Sequence, residues 1–132
     1  MLEELKISFV AFSPLANGFL SGNFTKPENF SSDDYRNMMP QFTESGIEKA
    51  HELLNLLKKI AEEKNATPAQ ISLAWIVNKK NYFIPIPGSR KISRLKENFD
   101  AGKIKLSAKE IYDIDSKIDT MNFEIFGGSP TK

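Results

Sequence analysis

Tyr82-Phe-Ile-Pro-Ile-Pro-Gly-Ser-Arg-Lys-Ile-Ser-Arg-Leu-Lys-Glu-Asn98 runs from an apolar, β-prone segment through a glycine into a basic, helix-forming one. Residues 82–87 read as a buried strand that Gly88 terminates, and Ser93 to Asp100 as a short helix closed near Gly102. Ser89, Arg90, Lys91 and Arg94 therefore place a hydroxyl and three cations around one helix start. The dipole and free N–H groups of such a terminus already favour a phosphate. On local pattern alone a solvated basic surface is an equal reading of the same cations.

Working outward, Ile7-Ser-Phe-Val-Ala-Phe-Ser13 forms a second β-prone run that stops at Pro14, which cannot donate to a sheet ladder. Four consecutive apolar residues, Phe9 to Phe12, predict burial on both faces, as in a parallel sheet. The turn Ser13-Pro-Leu-Ala-Asn-Gly18 follows at the carboxyl end of that strand, where parallel α/β folds place ligands. Backbone N–H groups of such a turn can cradle phosphate oxygens, although Asn17-Gly18 alone is more often a plain turn. From Ala16 to Thr43 the chain reads as one long structureless loop.

Ser45 and Glu48 form a Ser-x-x-Glu capping box, and Ile47, Ala50, Leu54, Leu57 and Ala61 then share one helical face. Thr67-Pro-Ala-Gln70 starts another helix, with Thr67 at the N-cap, Pro68 at the first helical position and Gln70 reaching back. Its body, Ile71 to Val77, is apolar nearly all round and should be buried. A last helix starts at Ser107, boxed with Glu110, and aligns Ile111, Ile114, Ile118 and Met121. Residues 122–132 form a C-terminal tail, of which Gly127 to Lys132 are expected to fray. Strand, loop, two helices, strand, two helices is a parallel α/β order, yet two strands do not make a stable parallel sheet by themselves.

The composition of the 132 residues, 40% hydrophobic and 27% charged, is that of one globular domain. The absence of cysteine excludes disulfides, thiolate metal sites and cysteine nucleophiles, and the single histidine, His51, speaks against a multi-histidine metal site. Eighteen basic against seventeen acidic residues leave a net charge of +1, which weakens any case for nucleic acid. No apolar run approaches the ~20 residues of a membrane span, and Met1 to Lys6 lack a signal-peptide pattern, so a cytoplasmic location is expected. His51, Trp75, the Glu62-Glu63 and Asp33-Asp34 pairs and Lys79-Lys80 read as ordinary surface, core or helix-end residues.

Together, Phe9-Val-Ala-Phe-Ser-Pro-Leu-Ala-Asn-Gly-Phe-Leu-Ser-Gly22, Thr67-Pro-Ala-Gln-Ile-Ser-Leu-Ala-Trp75 and Ile84 to Asn98 resemble the carboxyl-terminal part of an aldo-keto reductase. Asp34-Tyr-Arg-x-x-x-Pro-x-Phe42 and Phe126-Gly-Gly extend the resemblance over nearly the whole chain. The fold it implies is a partial TIM (β/α)₈ barrel, a carboxyl-terminal fragment with two strands and about four helices. The two strands match the seventh and eighth of the barrel, and Met1 to Leu5 the end of its sixth helix. In that family NADPH lies across the carboxyl ends of the strands, so residues 1–132 would be the cofactor-binding portion.

Carried over by position, Phe12 stands where the family stacks an aromatic ring on the nicotinamide. Ser13, Leu15 and Asn17 match positions that line the pyrophosphate. Gly88, Ser89, Arg90 and Arg94 match the segment that holds the adenosine 2′-phosphate, and Arg94 has the forked donors that suit it. Glu97 and Asn98 match the pair at the adenine amino edge. The family reduces carbonyls with an Asp, Tyr, Lys and His tetrad from earlier strands. Tyr35, Tyr82, Tyr112 and His51 match none of its motifs. Gln41 replaces an arginine common in the long loop, and Ser89-Arg90 stands where some branches have a lysine.

The resemblance thus implies the cofactor-binding part of an NADPH-dependent oxidoreductase that reduces carbonyls to alcohols, inactive as this chain alone. The rival is a helical interaction or scaffold module that binds no nucleotide. Strands cut from a barrel would leave the inward faces of Val10, Phe12, Ile84 and Ile86 bare, and fully burying each such side chain is worth about 1.5 to 3 kcal/mol. Expected partners are therefore NADPH and either an amino-terminal barrel portion or a second copy of the chain, with neither nucleic acid nor a membrane.

Overall fold

The computed structural model describes residues 1–27 and 30–121. Two short strands, β1 (Phe9–Ala11) and β2 (Phe83–Pro85), pair in parallel with Val10 opposite Ile84. Four helices accompany them: α1 (Glu44–Glu63), α2 (Pro68–Lys79), α3 (Ile92–Asp100) and α4 (Ala108–Thr120). The strands are shorter than the runs 7–13 and 82–87 predicted them to be. Pro14, Pro85 and Pro87 have no N–H to lend a ladder, so pairing fades at Ile86, whose N–H reaches Ala11 O at 3.2 Å.

The main core lies between helices. Leu53, Leu57 and Ile60 of α1, Ile71 and Ala74 of α2, Leu106, and Ile114 of α4 form one buried cluster. Ile111, Ile118 and Met121 pack onto it, as the spacing of the last helix predicts. On α1 the buried stripe passes through Leu53 and Ile60, while Leu54 is half-buried against a second cluster. That cluster holds Phe19, Phe42, Ile47 and Ala50, with Phe24 and Phe30 packed on it. Phe42 sits edge-on to Phe19, Phe24 and Phe30 with ring centroids 5.0–5.5 Å apart.

Both downstream capping boxes form as read. Thr67 Oγ1 accepts from Gln70 N while Gln70 Oε1 accepts from Thr67 N, and Ser107 and Glu110 do the same. Asn78 staples α2 to the α3–α4 connection, donating to Ile104 O and accepting from Leu106 N. Trp75 Nε1 donates to Asp115 Oδ1 at 2.9 Å, tying α2 to α4.

Three expectations are corrected. First, α1 begins two residues early: its N-cap is Thr43, which accepts from Gly46 N, and Ser45 lies inside the first turn. The cause is the crossing at Gly46, where a Cβ would come within 2.0 Å of Pro40 O, so the helix's first turn closes directly on the preceding segment. Second, residues 16–43 are not structureless: 3₁₀ turns occupy Ala16–Ser21, Tyr35–Met38 and Pro40–Phe42, held by the phenylalanine cluster. Third, neither strand is buried as read: β1 is not covered on both faces, and in residues 82–87 Ile84 and Ile86 are 47% and 52% exposed. Phe9 is 45%, Val10 54% and Phe12 75% exposed, because among the described residues only β2 pairs with β1. The tail 122–132, with Phe126-Gly-Gly, lies outside the described residues.

Candidate functional site

Because the strands run parallel, their carboxyl ends emerge side by side, and each leads into a turn. The turn after β1 has an unusual backbone: Ser13 (φ 49°), Ala16 (47°), Asn17 (58°) and Gly18 (90°) all adopt left-handed conformations. For residues other than glycine this costs on the order of 1–3 kcal/mol each and persists only where surrounding contacts hold it. Ala16 N donates to Ser13 O, and Gly18 N and Leu20 N both donate to Leu15 O. Asn17 completes the clamp. Its Oδ1 accepts from Tyr35 Oη at 2.9 Å and Ser13 Oγ at 3.5 Å, and its Nδ2 donates to Met39 Sδ at 3.5 Å.

The turn after β2 runs Pro87-Gly-Ser-Arg90 into α3. Gly88 stands in open space: among the described residues, its own chain neighbours aside, no atom lies within 4 Å of where a Cβ would be. Ser89 Oγ accepts from Lys91 N, while the N-cap, Lys91, makes no side-chain cap bond, which leaves the first amides of α3 without a side-chain acceptor. Arg94 is half exposed and pairs through Nη1 with Glu97 Oε2 at 2.7 Å. The other carboxylate oxygen of Glu97 accepts from Thr67 Oγ1 at 2.6 Å, and Glu97 O accepts from Gln70 Nε2. The cap of α2 thereby fixes the pitch of α3 and the guanidinium it carries.

The two turns enclose a cleft of about 260 Å³, lined among others by Leu15, Gly18, Ser21, Gly88, Arg94 and Asn98. Ser89 also lines it. Five of the ten residues singled out from sequence, Leu15, Gly88, Ser89, Arg94 and Asn98, thus meet around one space. Ser13 and Asn17 shape the first turn from behind rather than facing this cleft. Phe12 lies exposed at the end of β1, Arg90 is exposed, and Glu97 is turned toward Thr67. Asn23 and Phe24, which also line the cleft, were not predicted. They sit in the segment that reads as plain loop, and no local pattern singles them out. Chemically, a forked cation, a hydroxyl and a helix start without a capping side chain form a donor set suited to an anionic phosphate ester.

Among the described residues, no group of three or more acidic or histidine side chains could hold a metal, and no helix is long and apolar enough to cross a membrane. Tyr112 is 70% exposed on α4, and Tyr82 stacks edge-on to Phe83.

Comparison with known proteins places this geometry. Residues 1–119 match the model of the aldo/keto reductase family. The chain is 43% identical over 108 residues to the aldo-keto reductase str7 of Strobilurus tenacellus, covering 82% of this chain and 32% of that protein. It is 37% identical over 124 residues to the aldo-keto reductase yakc [NADP(+)] of Schizosaccharomyces pombe, covering 94% of this chain and 36% of that one. It therefore spans about a third of the length of these curated relatives. Among solved structures, the glycerol dehydrogenase AKR11B4 from Gluconobacter oxydans superposes with a TM-score of 0.80 at 21% identity, over 99% of this chain and 39% of the other. The two parallel strands and their helices are accordingly a portion of a TIM barrel, and the chain belongs to the aldo/keto reductase family.

Proposed function

We propose that residues 1–132 form the dinucleotide-binding portion of an NADPH-dependent oxidoreductase that reduces carbonyls to alcohols. The observation that carries this is the cleft between the two strand ends, where Arg94 and Ser89 from one turn face Leu15 and Gly18 from the other. Arg94, Ser89, Arg90 and the glycine-opened start of α3 would hold the 2′-phosphate end. Ser13, Leu15 and Asn17 would follow the pyrophosphate, with Glu97 and Asn98 at the adenine. Phe12 would offer its exposed ring to the nicotinamide. The bound cofactor supplies hydride. This chain's own residues bind and orient it, and the NADP(+) in the name of the fission-yeast relative supports the choice of cofactor.

The proton is a separate matter. Reduction needs a general acid beside the carbonyl, and such catalysis is typically worth about 10²- to 10⁴-fold. The phenol of Tyr35 is hydrogen-bonded to Asn17, Tyr82 lies against Phe83 and Tyr112 is on the outer face of α4. These contacts assign none of the three phenols that role, and we expect no turnover from these residues alone. Strand-side partners fit the same reading: Val10, Phe12, Ile84 and Ile86 are 47–75% exposed, as barrel-interior positions would be without their neighbours. An amino-terminal barrel portion, or else a second copy of the chain, would cover them.

Fluorescence titration of wild type and Arg94→Ala with NADPH and NADH tests the assignment. Wild type should prefer NADPH, and the substitution should erase that preference, at a cost of roughly 1.5 to 3 kcal/mol for a charged contact. An equal affinity for both nucleotides in wild type, or a preference unchanged in the variant, would show that the cluster is surface only.

A further inference from the structure

Tyr35 lies in the long segment between β1 and α1, is 55% exposed, and belongs to none of the turns that line the cleft. Its hydroxyl nevertheless reaches across eighteen positions of sequence to donate to Asn17 Oδ1 at 2.9 Å. The 3₁₀ turn that carries it is fastened at both ends. At its start, the Asp34 carboxylate accepts from Arg36 N and, through both oxygens, from the Arg36 guanidinium at 2.6–3.1 Å, while that guanidinium lies 4.1 Å over the Phe30 ring. At its end, the Met39 sulfur receives Asn17 Nδ2 on one side and the Nε2 of buried Gln41 on the other. The segment thus brings two fixed groups, a phenol and a thioether, onto a residue whose own φ of 58° needs outside support.

We propose that Tyr35 is a positioning residue, which latches the long segment onto Asn17 and holds the left-handed turn 13–18 in shape. Given the cofactor role proposed above, on which this consequence rests, the latch sets the affinity for the dinucleotide through the turn, without touching the nucleotide. Removing the phenol oxygen should loosen the turn and weaken binding of molecules that span both turns. Binding of an adenosine fragment held only by the Arg94 side should not change.

The test uses Tyr35→Phe, Asn17→Gly and the double variant. Glycine tolerates the left-handed backbone and removes the acceptor, so the fold at position 17 survives. Without nucleotide, hydrogen exchange at the Gly18 and Leu20 amides should quicken about 2- to 10-fold in Tyr35→Phe, the range of one neutral hydrogen bond. On the Asn17→Gly background the same substitution should add nothing, because the latch acts through that side chain. With nucleotide, Tyr35→Phe should lower NADPH affinity by a similar factor and leave adenosine 2′-monophosphate, which lacks the pyrophosphate, unchanged. Wild-type exchange rates in Tyr35→Phe, or an equal effect with and without the Asn17 side chain, would overturn the proposal. If wild type binds neither nucleotide, the cofactor reading falls, and the exchange comparison by itself upholds or overturns the latch.

Discussion

Leu57, Ile71 and Ile114, on α1, α2 and α4, keep 2% or less of their surface, whereas Val10, Ile84 and Ile86, on or beside the paired strands, keep 54, 47 and 52%. Side chains of the same chemistry are treated in opposite ways a few residues apart. The helices find their partners within these 132 residues: α1, α2 and α4 close on one another, and the Trp75–Asp115 and Asn78 hydrogen bonds fasten them. The strands find a partner on one flank only, since β1 and β2 pair with each other and with nothing else among the described residues. The helix α3 belongs with the strands, for it buries no residue and leaves Ile92 at 85% and Phe99 at 76% exposed. The chain thus contains a finished helical core and an unfinished barrel face. The cleft proposed for the cofactor sits at the border between them.

The sharpest way to break this comparison is to change one side chain on each side. Leu57→Ala should destabilise by about 2 to 5 kcal/mol, the range for a cavity opened among buried neighbours. Val10→Thr, on the bare face, should change stability by less than about 0.5 kcal/mol at protein concentrations low enough to keep the chain monomeric. Urea unfolding of both variants measures this. Similar losses for the two would mean that the strand face is covered in solution by something that the contacts among the described residues do not include.

What was legible in the sequence divides along a related line. Signals that act over three or four residues were readable: the Thr67 and Ser107 capping boxes, Pro68 at a helix start, and the Ile111, Ile114, Ile118 stripe all appear as their spacing predicts. Signals that need a distant neighbour were not. Ser45 has the local pattern of a cap, but the crossing of Gly46 on Pro40 O gives that place to Thr43. The order in residues 16–43 rests on rings from four separate positions, and the Thr67–Glu97 and Tyr35–Asn17 bonds join residues 30 and 18 apart. At the site, the family resemblance pointed to Leu15, Gly88, Ser89, Arg94 and Asn98, whereas Asn23 and Phe24 reach the cleft only through the path of the chain between them.

A smaller effect sharpens the border itself. The side-chain hydrogen bond from Arg36, followed by the Arg36 backbone N–H, holds the Asp34 carboxyl below its ordinary value of 3.8. A carboxylate with a lowered folded value stabilises above the free value and loses that contribution as pH falls through the lowered one. Protection of the Met39 amide, which donates to Arg36 O, should therefore be higher in wild type than in Asp34→Asn at neutral pH. The difference should shrink as pH drops below about 3.8. Glu52, paired with Lys117, and Asp100, paired with Lys103, are lowered in the same direction, so overall acid tolerance will fall in the same window and the local difference is the informative readout.

The contrast between a closed helical core and a bare strand face is tested most directly by light scattering on the purified 132-residue chain, read together with its near-ultraviolet dichroism. Each of Val10, Phe12, Ile84 and Ile86 still has roughly 1 kcal/mol to gain from being covered, which favours association. The expected result is a mass above the 14.9 kDa of one chain, or else a weak and broad near-ultraviolet spectrum from an unsettled strand side. A monodisperse species of 14.9 kDa with sharp near-ultraviolet bands would contradict the account, because it would mean that the strand face needs no cover at all.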